Sequence, residues 1–209
     1  MLAKDAYSEE KITYFIKPGP KNSEHTLRLA IERAKVRGIN KIVLASTRGE
    51  TTRLAAGLLV DSGIKMVVVP HQYGFGPNQR FPPELTAELQ KQGHSVYFGT
   101  MLFHTENFYG VRIPSAMATL LRTFCQGIKV CVEILLMATD GGCLKSGEKV
   151  IAVSGTIRGA DTAVVAIAAP STRLHELHIT EIICKPFETK SWPASSEPPK
   201  ISDVIEDSD

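Results

Sequence analysis

The chain has 209 residues, 43% of them hydrophobic, which is enough to bury the core of one α/β domain. Its net charge of +2 is unevenly distributed, because residues 187–209 carry −4 and residues 1–186 therefore carry +6. The sequence has no run of Lys and Arg interleaved with aromatic residues. This excludes the usual pattern of a nucleic-acid binder and favours a small anionic ligand. We expect a single domain over residues 1–186 and a Pro/Ser-rich acidic tail over residues 187–209.

Cysteine spacing and the amino-terminal residues indicate the compartment. The four cysteines form no CxxC or other zinc-like spacing, so we expect free thiols in a reducing cytoplasm. Residues 1–10 are polar and acidic, unlike a signal peptide. The most hydrophobic helical stretch, residues 130–138, is interrupted by Glu133 and is far too short for a membrane span. The sequence therefore predicts a cytoplasmic protein that makes no membrane contact.

Apolar runs alternate with helical patterns along the first two thirds of the chain. Short apolar runs predict strands over 11–16, 42–44, 65–70 and 95–98. Stripes at helical spacing predict helices that end near Gly38 and Gly63, followed by helices over 82–92, 115–126 and 127–139. The last helix is apolar nearly all round, so we expect it to be central and buried. Residues 99–114 give no assignable pattern.

Three further apolar runs, 149–154, 162–168 and 178–184, follow without long helical patterns between them. The loop after Ser154 is too short for a parallel crossover, which needs roughly a dozen residues or more. At least one late strand should therefore be antiparallel. Together the elements predict a three-layer α/β/α domain with a mostly parallel, mixed sheet.

Residues 45–52 connect the second predicted strand to the next helix and carry hydroxyls, a cation and a glycine. The N–H groups and partial positive charge at a helix N-terminus favour an anion. The side chains of Ser46, Thr47, Thr51 and Thr52 can add further donors. We interpret this segment as a phosphate-binding loop. The alternative is an ordinary connection in which these residues only cap the helix.

Two later loops have compositions that suit a ligand. Residues 71–80 follow the strand 65–70, at the carboxyl end where open α/β sheets place ligands, and hold two aromatic residues, a His and an Arg. Residues 154–162 repeat the hydroxyls, glycines and arginine of the phosphate-binding loop, directly after another strand. The alternatives are a long surface loop and a glycine-rich turn. Together the loops suggest one ligand bridged between them.

Charged and metal-ligating side chains elsewhere give weaker signals. Lys129 and Glu133 lie one turn apart in the apolar helix, and we favour a structural ion pair over a site carboxylate. We expect His104 to be solvated or structurally hydrogen-bonded. His175 and His178 are three residues apart, but no third ligand is evident, so we expect no metal site.

The order of elements, the loops STRGETT and SGTIRGADT, and the helix KVCVEILLMATDGG resemble a family of small stand-alone proteins similar to the C-terminal α/β domain of pyruvate kinase. The resemblance covers residues 11–186 and implies a three-layer α/β/α fold. In pyruvate kinases the equivalent domain binds an allosteric sugar bisphosphate through a Thr/Ser/Gly loop that residues 46–52 resemble. Members of the stand-alone family look like FMN binders. Nothing resembles the barrel, metal carboxylates or nucleotide site of pyruvate kinase, so kinase activity is not implied.

Position by position, the resemblance implies three groups of FMN contacts. The phosphate would be held by Ser46, Thr47, Gly49, Glu50, Thr51 and Thr52. The ribityl chain or ring would be flanked by Gly155, Thr156, Arg158, Gly159, Ala160, Asp161 and Thr162. The isoalloxazine would lie beside His71, Gly74 and Phe75. No catalytic residue is implied.

Two functions remain open at this point. One is a flavin-binding protein with redox activity, which would need a donor near the flavin N1–C2 edge from Arg158, His71 or Lys129. The other is a non-catalytic module that senses a phosphorylated ligand, like the regulatory domain of pyruvate kinase. The sequence names no second substrate.

The tail is expected to lie outside the fold. Residues 191–199 contain three prolines, and the last residues are acidic. We expect the tail to pack loosely or on a neighbouring subunit of a homo-oligomer, through Trp192 and Ile201. Its deletion should leave the fold intact.

Overall fold

The computed structural model describes residues 7–106, 110 and 112–188. In this part of the chain the strands are β1 (Thr13–Phe15), β2 (Lys41–Ala45), β3 (Lys65–Val69), β4 (Ser95–Val96), β5 (Lys149–Ser154), β6 (Thr162–Ile167) and β7 (His178–Pro186). The helices are α1 (Ser23–Arg37), α2 (Glu50–Leu58), α3 (Pro83–Lys91), α4 (Ile113–Arg122) and α5 (Gln126–Asp140). Short 3₁₀ turns lie at Pro20–Asn22, Leu102–His104 and Ser171–Glu176. The predictions for the tail fall outside the described residues from position 189 onward.

One mixed sheet joins the strands in the order β1-β7-β6-β5-β2-β3-β4. The neighbours β5, β2, β3 and β4 run parallel, whereas β6 runs antiparallel to both β5 and β7. The short connection after Ser154 leads directly into β6, which forms a hairpin with β5. In this hairpin Ser154 lies opposite Thr162. The prediction of a mostly parallel sheet with an antiparallel late strand is confirmed.

The sheet is covered on both faces, which gives the three predicted layers. Residues of alternate parity point to opposite sides, so Ile42 and Leu44 pack with α1, α2 and α3 while Val43 and Val67 pack against α5. Nearly every residue of α5 is buried, because α4 covers part of its outer side through Ala118. The prediction of a central, buried helix is confirmed. No helix in the described ranges combines the length and apolar character that crossing a bilayer requires.

Some element boundaries differ from those that the periodicity predicts. The break between α4 and α5 falls at residues 123–125 instead of 126/127, because Cys125 is extended and its Sγ accepts a hydrogen bond from Ile128 N at 3.4 Å. The apolar spacing continues through this break and therefore does not mark it. Strand β4 is only two residues long because it pairs with Val67 and Val68 alone.

A histidine beside the sheet makes the stability pH-dependent. His94 Nδ1 accepts a hydrogen bond from Met66 N at 3.1 Å, which requires this nitrogen to be unprotonated. Burial, followed by the Lys65 charge, lowers the pKa of His94. As the pH falls, His94 is therefore protonated first in the unfolded chain. The free energy of unfolding decreases as the pH drops below about 6.5 toward the lower pKa that His94 has in the folded protein.

We expect His94→Gln to reduce this acid sensitivity, because the amide oxygen can accept from Met66 N without titrating. The fall in melting temperature between about pH 7.5 and 5.5 should be smaller by about 3 °C, which corresponds to about 1 kcal/mol for a protein of this size. Thermal melts at both pH values measure the effect. His175→Gln, at an exposed position, is the control. Equal falls in the wild type and in His94→Gln would contradict the assignment.

Candidate functional site

Three loops meet at one edge of the sheet because they follow neighbouring parallel strands. Loop 46–49 follows β2, the segment 70–82 follows β3, and loop 155–161 follows β5. The expectation that these segments share a carboxyl edge is confirmed. A cavity of about 540 Å³ lies between the loops and α5.

The cavity contains part of the residue set implied by the family resemblance. The residues of this set that line the cavity are Ser46, Thr47, Glu50, Thr51, His71, Phe75, Gly155, Arg158 and Gly159. The residues of the set that do not line it are Gly49, Thr52, Gly74, Thr156, Ala160, Asp161 and Thr162. In the second group, hydrogen bonds described below hold loop 155–161 in shape through Thr156, Ala160, Asp161 and Thr162.

The first loop presents hydrogen-bond donors at the start of α2. Gly49 has a φ of 87° and no side chain caps the helix, so its first N–H groups remain available. Ser46 and Thr51 are each 7% exposed, and their hydroxyls have no hydrogen-bond partner among the described residues. Such donors at the positive end of a helix suit an anion.

Thr52 differs from its neighbour Thr51. It is fully buried, does not line the cavity, and its Oγ1 has no hydrogen-bond partner among residues 7–106, 110 and 112–188. A buried hydroxyl without a partner costs about 1–3 kcal/mol. Thr52 therefore lacks the access that the implied phosphate contact requires.

Asp161 supports loop 155–161 without lining the cavity. Its buried carboxylate accepts hydrogen bonds from Gly19 N and Thr156 N, both at 3.1 Å, and from Thr162 Oγ1 at 3.0 Å. Burial raises the pKa of Asp161, and these hydrogen bonds offset only part of that effect. Ala160 N donates to Ser23 Oγ at 2.9 Å. This half of the loop is a support that lies behind the cavity wall.

The exposed half of the same loop is tightly folded. A Cβ on Gly155 would lie 2.2 Å from the Gly159 carbonyl oxygen, so only glycine fits there. Ile157 has a φ of 67°, a conformation that costs a β-branched residue free energy, and it lies 72% exposed at the rim. Arg158 follows it at the cavity. Strain of this kind is common at ligand-binding loops.

The segment 70–82 brings aromatic rings to the cavity. Phe75 makes edge contacts with His71, with ring centroids 4.7 Å apart, and with His104, at 5.4 Å. Gln79 Nε2 donates to the His71 carbonyl at 2.9 Å and closes the loop. Burial, then the Arg80 and His104 charges, lower the pKa of His71. His71 is therefore neutral at pH 7.

The floor of the cavity is a buried charge cluster on α5. Lys129 Nζ donates to Glu133 Oε2 at 2.6 Å, while Phe103 N at 2.9 Å and His104 Nδ1 at 3.2 Å contact Oε1. Burial opposes the charge on Glu133, but the hydrogen bonds from His104, Lys129 and Phe103 outweigh it and keep the pKa of Glu133 low. Burial lowers the pKa of Lys129, and Glu133 offsets part of that shift. The predicted ion pair is confirmed, and both partners also line the cavity.

The open side of the cavity is cationic. Arg48, Arg80 and Arg158 line it and are exposed, with Glu50 as the acidic side chain beside them. In the described residues none of these three guanidinium groups has an ion-pair partner. The resulting field attracts anions.

Metal ligands are not brought together in the described residues. No group of three His, Cys, Asp or Glu side chains there could hold a metal ion. The four cysteines are free, and the buried thiol of Cys184 has its pKa raised to about 12 by burial. The chemistry of this cavity rests on its hydrogen-bond donors, cations and rings.

The fold and the cavity define an α/β domain with a cavity at the carboxyl edge of its sheet. The family model for the pyruvate kinase alpha/beta domain matches residues 24–166, and the chain belongs to this family. Membership indicates a ligand-binding or regulatory module of the pyruvate kinase type.

Two solved pyruvate kinases from Cryptosporidium parvum are similar to this chain. One is 16% identical, with a TM-score of 0.39, and the alignment covers 70% of this chain and 23% of that one. The other, in complex with ADP, is 17% identical, with a TM-score of 0.37 and the same coverage of 70% and 23%. The chain therefore spans less than a quarter of the length of those enzymes.

Proposed function

We propose that the cavity binds FMN, with the phosphate at the start of α2 and the ring beside His71 and Phe75. The observation that carries the proposal is a pair of nearly buried residues that line the cavity, Ser46 and Thr51, whose hydroxyls have no hydrogen-bond partner in the described part of the chain. They lie at a helix N-terminus whose N–H groups no side chain caps. This donor set fits a phosphate monoester.

The rest of the cavity suits the remainder of the molecule. Its volume of about 540 Å³ lies within the roughly 300–1,000 Å³ of pockets that hold cofactors. Val130, Ile134 and Met137 on α5 line the same cavity as Phe75 and supply apolar surface. Arg48 and Arg158 add charge for the phosphate. When bound, FMN would supply a two-electron acceptor, and redox activity is the corresponding enzyme hypothesis.

The second candidate is a non-catalytic module that senses a sugar bisphosphate. Family membership favours it, together with the three exposed arginines, because a second phosphate would use their charge. The two candidates differ in the shape of the ligand. FMN needs the apolar and aromatic wall, whereas a sugar bisphosphate needs a cationic group at both ends.

Titration of the purified protein with FMN, riboflavin and fructose 1,6-bisphosphate separates these functions. Flavin fluorescence and thermal melts report binding, and a ligand at one hundred times its Kd raises stability by about 2.7 kcal/mol. That corresponds to a melting temperature about 8 °C higher. FMN should bind more tightly than riboflavin and give this rise. A rise with the bisphosphate alone would support the sensing module, and no response to any ligand would reject both candidates.

A further inference from the structure

The carboxylate of Glu133 is fully engaged at the floor of the cavity. Its Oε2 accepts from Lys129 Nζ, and its Oε1 accepts from Phe103 N and contacts His104 Nδ1. The side chain is 4% exposed. Because Lys129 and the Phe103 amide favour the charged form, Glu133 presents an ionised carboxylate to the imidazole of His104.

This contact determines which ring nitrogen of His104 carries the proton. An ionised carboxylate accepts only, so Nδ1 must donate, and the neutral ring is then unprotonated at Nε2. Among the described residues Nε2 has no hydrogen-bond partner. The side chain lines the cavity and is 34% exposed. A fixed, unpartnered acceptor thus adjoins the proposed ligand.

His94 shows the opposite arrangement within the same chain. Its Nδ1 accepts from Met66 N, so its proton lies on Nε2, and it does not line the cavity. That is the geometry of a histidine that supports a strand. His104 instead has the carboxylate–imidazole arrangement that orients a general base.

We propose that the cavity is catalytic and that His104 is its general base, with Glu133 as the positioning residue. The proposal rests on the proposed function, since it places the substrate beside the ligand in the same cavity. The substrate class is a small anion with an ionisable O–H or acidic C–H group, because the rim is cationic. The substrate's bond to hydrogen breaks, its electron pair stays on the substrate, and the proton binds Nε2.

Charged and titratable groups on two elements lie around His104. Glu133 contacts it from α5, and Lys129 on the same helix pairs with that carboxylate. His71 and Arg80, both in the segment after β3, also line the cavity.

The first experiment uses nitrogen-15-labelled histidine and long-range proton–nitrogen spectra of the full chain. The His104 signals are assigned by their loss in His104→Gln. We expect a proton on Nδ1 and none on Nε2 at pH 8, with His94 as the internal control of opposite tautomer. In Glu133→Gln both His104 tautomers should appear at pH 8, because an amide can donate as well as accept and no longer fixes the proton on Nδ1. A proton on Nε2 in the wild type, or an unchanged tautomer in Glu133→Gln, would overturn the proposal.

The second experiment measures reactivity with diethyl pyrocarbonate, which acylates an unprotonated imidazole nitrogen. His104 should react at its unprotonated Nε2, and FMN should change both the rate of this reaction and the His104 nitrogen shifts while leaving His94 unchanged. Unchanged His104 signals with FMN bound, as fluorescence reports, would overturn the inference alone. If FMN fails to bind, the proposed function fails, and Glu133→Gln still decides the role of His104 because that comparison needs no ligand.

Discussion

Replacement of Thr51 by Val is expected to weaken FMN binding at least tenfold and to leave riboflavin binding little changed. Val keeps the shape of the side chain but removes a hydroxyl that lines the cavity at the start of α2. A hydrogen bond to a charged group is worth roughly 1.5–3 kcal/mol, and about 1.4 kcal/mol is a tenfold change in Kd. Riboflavin lacks the phosphate and so loses nothing there. Fluorescence titration with both ligands measures the difference.

Thr52→Val is the matched control, at the adjacent position of the same helix. Thr52 is fully buried, and its hydroxyl has no partner in the part of the chain that the structure describes. The substitution should therefore leave FMN affinity unchanged and raise the free energy of unfolding by about 1 kcal/mol. Two results would reject the phosphate assignment. One is an equal loss for FMN and riboflavin in Thr51→Val, and the other is a loss of FMN affinity in Thr52→Val.

The largest effect on stability is expected from Lys129→Met. Lys129 is 1% exposed, and its removal leaves the Glu133 carboxylate buried without its counter-ion. Breaking a buried pair in this way costs about 3–5 kcal/mol, which lowers the melting temperature by roughly 10 °C. Chemical denaturation measures the change in the free energy of unfolding.

Two further variants control this prediction. Lys41 pairs with Glu148 at 2.9 Å, but both side chains are partly exposed, so Lys41→Met should cost less than about 1 kcal/mol. Addition of Glu133→Gln to Lys129→Met should recover part of the loss, because the unpaired charge is then gone. A Lys129→Met protein no less stable than Lys41→Met would show that the pair contributes little.

Much of the fold could be predicted because its cause is local. The uninterrupted apolar runs of β2, β3 and β5 indicate strands buried on both faces, and the short connection after Ser154 requires a hairpin. The end of α4 could not be predicted in this way. It depends on the extended backbone of Cys125, and an apolar stripe does not record where a helix is interrupted.

Only part of the candidate site could be predicted from the sequence, for a similar reason. Ser46 and Thr51 carry a local signal, since hydroxyls between a strand and a helix indicate an anion site. Thr51 and Thr52 look identical in sequence, and only packing separates a side chain at the cavity from one behind it. The floor depends on residues far apart in the chain. Its one sequence signal was the Lys129 and Glu133 pair inside an otherwise apolar helix.

The pairing of β1 with β7 has a consequence for the time course of folding. Both strands lie outside residues 24–166, and Thr13 finds its partner in Cys184 only after nearly the whole described domain has been made. During synthesis β1 stays unpaired while the central strands assemble, because β7 is made last. Contacts that close such long stretches of chain slow the last step of folding. The edge of the sheet at β1 should therefore be the last part to become protected from hydrogen exchange.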